Sequence, residues 1–311
     1  MINNFISKTT SGLYCKAGDF YIDPRKAVDI ALVSHAHGDH AVPANGKVYC
    51  TEPTQSFMIH RHGQRSHSEF IKVNFDESFF INEVKIAFYP AGHILGSAQI
   101  LMENEGLRYL YTGDFKTQAD ESCETFQFIE CDHLITETTF ASPEYNHPDP
   151  VDEIKKLFEE NQNVVIGAYA LGKAQRLTQL ITKYCSGVKV YIHPELEVYH
   201  RLYAEHGFPL GEWQPYRRTD FENSKRGVYI VPPAHFRRFA GNNNVLKVFA
   251  TGWKRSFYKC DRVLQVSDHA DWHGVLEMIT RTKAKKVYTV HGNGSFLKEY
   301  LKEQIEVKII G

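Results

Sequence analysis

Apolar positions in the first half of the chain recur in short β-type runs separated by turns, at residues 28–34, 48–50, 84–89, 99–102, 109–112 and 134–136. From about residue 151 the pattern changes to alternating helix and strand. Helices are predicted at 151–160, 173–184 and 195–206, and strands at 164–169, 188–193, 228–231 and 245–250. That alternation predicts a small α/β unit with a parallel-type sheet. A strand at 263–266, a helix at 272–282, a strand at 286–290, a helix at 295–303 and a strand at 307–310 complete the pattern. No internal repeat or low-complexity tract interrupts it. The change of pattern puts boundaries near Ala141 and Tyr258.

Chemistry falls at the ends of these strands. The run Ser34-His-Ala-His-Gly-Asp-His40 follows the apolar stretch 30–33. In an extended segment alternate side chains share a face, so His35, His37 and Asp39 converge from one side while His40, after a turn, arrives from another. A spacing of two fits no helical face, which argues against the helical His-Glu-x-x-His arrangement. Four such groups behind a buried strand would repel or desolvate one another without a cation, so the run has the layout of a two-metal hydrolase. His93 lies in the glycine-punctuated loop Pro90-Ala-Gly-His-Ile-Leu-Gly-Ser97, and Asp114 in Tyr111-Thr-Gly-Asp-Phe115. Loops on rigid strands are where ligands belong. His60, His62 and His67 also cluster in sequence, but Arg61, Gln64, Arg65 and Ser66 around them mark a polar exposed segment rather than a metal site.

Composition narrows the class. A 311-residue chain with 42% hydrophobic and 23% charged residues can bury one large or two modest cores. No apolar run reaches membrane-spanning length and the first residues lack a signal pattern, so a cytoplasmic enzyme without a membrane partner is expected. Six cysteines without any Cys-x-x-Cys indicate buried free thiols, not a zinc knuckle or a redox pair. The net charge of −1 hides an asymmetry: residues 171–259 hold fifteen Lys or Arg against six Asp or Glu, the remainder 21 against 31. A basic middle in an acidic, metal-holding frame suits a polyanionic substrate. Lys173 and Arg176, one turn apart at a helix start, are candidates to hold substrate phosphates. Ser97, Lys254 and Arg255, beside Trp253, are further substrate-binding candidates. The pairs Arg217-Arg218, Lys225-Arg226 and Arg237-Arg238 are candidates for a strand track or for solvated loops.

The order His35, His37, Asp39, His40, His93, Asp114 resembles the metallo-β-lactamase superfamily. Thr136-Glu-Thr-Thr-Phe140, Ser267-Asp-His-Ala-Asp271 and Val290-His-Gly292 look like the three extra motifs of the β-CASP nucleases, and Ala170-Leu-Gly-Lys-Ala-Gln-Arg176 resembles the opening of their inserted cap. Gly12-Leu-Tyr-Cys, Gly18-Asp-Phe-Tyr-Ile-Asp-Pro24, Ala250-Thr-Gly-Trp253 and Ser267-Asp-His-Ala-Asp-Trp272 are similar to the bacterial DNA-ligase-associated exonucleases, which are themselves similar to mRNA 3′-end-processing factors. The resemblance implies an α/β fold: a four-layer αββα sandwich over 1–140 and 259–311, with a small α/β β-CASP cap inserted at 141–258. The cap is short for this family and no RNA-binding extension flanks the core, which favours a compact DNA enzyme.

By position in that pattern, His35, His37, His93 and Asp114 hold one metal, and Asp39, His40, His291 and a shared Asp114 oxygen hold the second. Zinc suits the histidine-rich shell, with manganese as the alternative. A hydroxide between the two divalent ions is then the nucleophile. His269 protonates the leaving oxygen, and Glu137 orients it. Asp268 and Asp271 either support the metal shell or cap the helix that starts near Trp272. The implied function is a DNA exonuclease in DNA repair, acting with an ATP-dependent DNA ligase and a helicase. The alternatives are an RNA-processing endo- or exonuclease, a thioesterase or lactonase with no use for His269, and a metal-containing binding subunit without catalysis.

Overall fold

The structure, a computed structural model, describes residues 2, 4–63, 68–159 and 162–310; His67 and Glu160 lie outside them. The chain divides into two units, one of Met1–Ala119, Cys123–Tyr145 and His269–Gly311, the other of Asp120–Ser122 and Asn146–Asp268.

In chain order the first unit begins with β1 (Ile6–Thr9), β2 (Gly12–Cys15), β3 (Phe20–Ile22), β4 (Ile30–Leu32), β5 (Lys47–Cys50), helix α1 (Glu52–His62) and β6 (Glu69–Lys72). It continues with β7 (Ser78–Ile81), β8 (Val84–Pro90), β9 (Ala98–Asn104), β10 (Leu107–Tyr111) and β11 (His133–Thr138). The second unit holds α2 (Pro150–Leu157), β12 (Val164–Gly167), α3 (Lys173–Tyr184), β13 (Lys189–Ile192), α4 (Pro194–Glu205) and β14 (Gln214–Pro215). It ends with α5 (Arg218–Asn223), β15 (Gly227–Val231), α6 (Pro233–Phe236), β16 (Leu246–Thr251) and β17 (Arg262–Gln265). The chain then returns to the first unit with α7 (Trp272–Arg281), β18 (Lys286–Gly292), α8 (Ser295–Leu301) and β19 (Glu306–Ile309).

Two sheets build the first unit, β1-β2-β3-β4-β5-β6 and β19-β18-β11-β10-β9-β8-β7. Strand alternation sorts their side chains into two cores. Ile100, Met102, Tyr109, Tyr111, Ile135 and Val290 of the second sheet share one cluster with Phe20, Ile22 and Leu32 of the first. The intervening residues Leu101, Leu110, Leu134 and Val287 point the other way, onto Val275, Met278 and Ile279 of α7 and Leu297 and Leu301 of α8. Helix α7 starts where Asp271 accepts the Gly274 amide at 2.9 Å, and its buried residues follow a helical spacing. With α1 running beside β6, the layers are helix, sheet, sheet, helix, the αββα sandwich.

The second unit is a six-stranded sheet ordered β14-β13-β15-β12-β16-β17, with every pairing parallel. Its central strands are apolar on both faces, as buried parallel strands are. Val164, Ile166, Val228 and Ile230 pack with Leu177 and Ile181 of α3. Val165, Tyr229, Val231 and Phe249 pack with Phe221 and Phe236 on the opposite face.

The inserted unit therefore runs from Asn146 to Asp268 and includes Asp120–Ser122, not 141–258. Residues 262–265 pair with β16 (Ala250 opposite Leu264), so a strand read as part of the closing segment belongs to the insert's sheet. At the other boundary, the Tyr145 carbonyl accepts the Trp272 amide at 3.2 Å and stays with the first unit. Among the described residues no helix is long and apolar enough to cross a membrane.

Candidate metal centre

The segment after β4 turns sharply: the His40 and Ala41 amides both donate to the His37 carbonyl, at 3.1 and 2.9 Å. Arg61 of α1 holds the Ala36 carbonyl from outside the turn. The turn puts His35 and His37 on one side, with ring centroids 4.8 Å apart, and swings His40 to the other face of His35 at 4.2 Å. The β8–β9 loop adds His93, whose Nε2 lies 3.0 Å from His37 Nδ1; His35 Nε2 is 3.2 Å from the same atom. Behind β10, Gly113 at φ 56° lets the chain pass so close to Ser34 that a Cβ would sit 2.9 Å from the Ser34 side chain. Asp114 then reaches the cluster, Oδ2 at 3.6 Å from His35 and Oδ1 at 3.4 Å from His40 Nε2.

Crowding perturbs these groups. Burial, reinforced by the neighbouring His40, depresses His35 well below the usual histidine range. Burial also pulls on His40, but the Asp114 and Asp23 carboxylates outweigh it and hold the ring well above that range. Burial opposes ionisation of Asp114, yet His40 and His269 keep its carboxyl well below the ordinary carboxylate range. Metal ligands must be deprotonated, so a cation would compete with protons for these groups. His40 Nε2 is buried without a hydrogen-bond partner, although Asp39 Oδ2 stands at 3.6 Å and Asp114 Oδ1 at 3.4 Å. An orphaned imidazole nitrogen between two carboxylates, beside a His35–His37–His93–Asp114 set whose donor atoms lie within 4.8 Å of one another, fits a divalent cation.

Two residues from the far end of the chain join the cluster. Between β11 and β18 the register slips, Glu137 facing Val290 and Thr138 facing Gly292, so His291 is an extra residue in a bulge. Its φ of 48° is in the left-handed region, where a non-glycine residue is strained. That twist lays the His291 ring on His40, with centroids 4.9 Å apart. His269 stands 4.7 Å from the His93 ring, and its Nδ1 donates to Glu137 at 2.9 and 3.0 Å. Glu137 is itself fixed by the Phe115 amide at 2.9 Å and the Thr139 hydroxyl at 2.5 Å.

Other expected site residues lie elsewhere. Ser97 is buried, and its Oγ accepts the His93 and Ile94 amides at 3.1 and 3.2 Å, shaping the ligand loop instead of meeting substrate. Lys173 and Arg176 are also buried: Lys173 Nζ is 2.9 Å from Asp268 Oδ2 and Arg176 Nε is 3.2 Å from Asp120 Oδ2. These charges tie the second unit together internally and do not present a phosphate-binding surface. Asp268 is taken up in the same network, and Asp271 caps α7. Lys254 and Arg255 are exposed. His62 Nε2 lies 2.9 Å from the Ala41 carbonyl, consistent with leaving that histidine out of the ligand set.

One participant had no assigned role. Buried Asp23 accepts the Ser34 amide and hydroxyl at 2.7 and 2.5 Å, the Tyr111 hydroxyl at 2.8 Å, and His40 Nδ1 at 2.7 Å. It fixes the His40 ring so that Nε2 faces the cluster. The motif ending Ile22-Asp-Pro24 was the signal that could have marked it.

Fold and cluster together define a metallo-hydrolase. Residues 258–310 match the family described as the Zn-dependent metallo-hydrolase RNA specificity domain. Over 98% of its length the chain is 29% identical to part of a "Probable DNA ligase" of Opitutus terrae, of which it covers 31%. It is 35% identical over 53% of its length to an "RNase J-like protein" of Methanocaldococcus jannaschii, covering 46% of that protein. It is 27% identical over 53% of its length to "Endoribonuclease YSH1" of Gibberella zeae, covering 25% of that protein. The chain thus spans less than half the length of each of these relatives. A crystal structure of a protein of unknown function from Enterococcus faecalis shares the fold, with a TM-score of 0.63 over 90% of this chain and 79% of that one, at 15% identity. The chain is thus similar to metallo-hydrolases of the RNase J-like and YSH1 kind, with its segment 258–310 matching the Zn-dependent metallo-hydrolase domain.

Proposed function

We propose that this chain is a two-metal phosphodiesterase that trims DNA from an end, in repair alongside an ATP-dependent DNA ligase and a helicase. The observation that carries the DNA assignment is coverage: the relative named as a probable DNA ligase aligns with 98% of the chain, the RNase J-like and YSH1 relatives with 53%. His35, His37, His93 and Asp114 would hold one cation, and Asp39, His40, His291 and the second Asp114 oxygen the other, with zinc the best fit and manganese compatible. When bound, such ions activate water and neutralise the charge that builds on phosphorus during in-line attack.

The chain's own groups supply the rest. Glu137 accepts the hydrogen bond of His269 Nδ1 and fixes the ring, which leaves Nε2 to deliver a proton to the departing oxygen. Asp23 keeps His40 turned inward, and Ser97 keeps the His93 loop in place.

A second reading, an RNA nuclease of the 3′-end-processing type, is favoured by the RNA specificity domain match at 258–310. End-labelled single-stranded and duplex DNA and RNA, incubated with Zn²⁺ or Mn²⁺, separate the two. Progressive shortening of DNA is expected, and Asp39→Ala, whose side chain is 71% exposed, should abolish it with an unchanged circular dichroism spectrum. A wide preference for RNA selects the second reading.

A further inference from the structure

Three large aromatic side chains of the second unit are exposed, two of them at one edge of its sheet. Phe257 is 98% exposed, Tyr169 57% and Trp253 41%. β12 and β16 are adjacent parallel strands, Gly167 opposite Phe249, and Tyr169 and Trp253 each lie two residues beyond the carboxyl end of their strand. The carboxyl edge of a parallel sheet is where α/β units place ligands.

The loop that carries Trp253 and Phe257 is held where it leaves β16. The Trp253 amide donates to Thr251 Oγ1 at 3.2 Å, and His147 Nε2 lies 3.1 Å from the Gly252 carbonyl. Next to Phe257, Tyr258 turns inward and stacks on Phe249 at 4.4 Å, with the Arg237 guanidinium 5.1 Å over its ring. Anchoring Tyr258 inward projects Phe257 outward, so the exposure is built into the loop.

Cations flank the loop aromatics in sequence. Lys254, Arg255 and Lys259 on the loop, and Arg237 and Arg238 beside α6, are all exposed. The loop's nearest acid in sequence, Asp261, is engaged by Lys247 at 3.2 Å. Exposed aromatic side chains interleaved with positive charge match a polyanion with accessible flat rings. A single strand has both; a duplex hides its base faces inside the stack.

We infer that Tyr169, Trp253 and Phe257 form a base-stacking platform for single-stranded DNA, with Lys254 and Arg255 holding the intervening phosphates. This rests on the nucleic-acid reading above and adds to it a preference for unpaired strands.

The test uses the full chain in EDTA, which leaves strands uncut, and the fluorescence anisotropy of end-labelled oligo(dT), an abasic strand of equal length, a duplex and oligo(U). Oligo(dT) should bind at least roughly tenfold tighter than the abasic strand or the duplex. Phe257→Ala and Trp253→Ala should each weaken oligo(dT) binding by roughly five- to a hundredfold while leaving the abasic strand unaffected. Phe257→Tyr and Trp253→Phe should restore it. Equal binding of oligo(dT) and the abasic strand, or alanine variants that bind oligo(dT) like the parent chain, overturns the platform. Tighter binding of oligo(U) than of oligo(dT) overturns the choice of DNA. Hydrolysis of bis(p-nitrophenyl) phosphate by the Zn²⁺- or Mn²⁺-loaded chain is scored separately. If that ester survives while base-dependent binding persists, the nuclease reading fails and the platform stands.

Discussion

His269 carries the most specific mechanistic assignment at the scale of single residues, because its bond to Glu137 sets which nitrogen can give up a proton. A general acid matters in proportion to how badly the leaving group needs a proton. His269→Ala should slow hydrolysis of a nucleic acid by about 10²–10⁴-fold. It should slow release of p-nitrophenolate, a leaving group stable as an anion, far less. Steady-state kcat on both substrates makes the comparison, and equal losses would remove the acid role. The same scale shows what the sequence conveyed. His35, His37, Asp39 and His40 announce themselves by spacing, whereas Asp23 does not, since its partners Ser34, His40 and Tyr111 come from distant parts of the chain. Lys173 and Arg176 misled for the opposite reason. Their helix-start position is local and readable, but the Asp120 and Asp268 carboxylates that absorb their charge are not.

Between elements, the β11–β18 pairing is where strain and function coincide. Gly292 follows the bulged His291 with a φ of 98°, and a Cβ there would lie 2.4 Å from the Thr138 carbonyl oxygen. Gly292→Ala must therefore open the bulge or shift β18, at a cost of about 1–3 kcal/mol for the backbone conformation alone. Thermal melting should show a lower midpoint, and metal analysis of the purified variant should show less bound zinc, because the His291 ring no longer lies on His40. A variant with the parent's midpoint and metal content would show that the bulge does not set the site. Alternation made β8–β11 legible, while β4 and β5 showed only as short apolar runs. The three- and four-residue strands β1–β3 are too short to show a period, and α1, with only Phe57 and Met58 as buried apolar residues, has too thin a stripe to stand out. β17 was visible as a strand but not as a member of the second unit, since pattern reveals an element before it reveals the element's partner.

For the molecule as a whole, pH dependence follows from a buried base outside the metal centre. His200 of α4 is 1% exposed, with Nδ1 donating to the Leu196 carbonyl at 2.9 Å and Nε2 2.9 Å from the Thr178 hydroxyl oxygen. Burial lowers its pKa from 6.5 to about 4. The unfolded chain thus takes up a proton that the folded chain refuses. The stabilisation is complete above the unfolded value and is lost as pH falls from about 6.5 toward 4, amounting to roughly 2 kcal/mol by pH 5. Melts at neutral pH and near pH 5, followed by tryptophan fluorescence to which Trp213 beside His200 contributes, should show that loss. His200→Gln should show a smaller pH dependence; an unchanged one would assign the acid sensitivity elsewhere. The insertion of residues 146–268 between β11 and β18 also has a temporal meaning. On a translating ribosome the second unit is finished while the first still lacks its closing strands, so the inserted sheet can fold as a ready-made clasp that shortens the gap β18 must bridge. His269 and His291 emerge last, so on the proposed function the nascent chain stays inactive until synthesis has passed them.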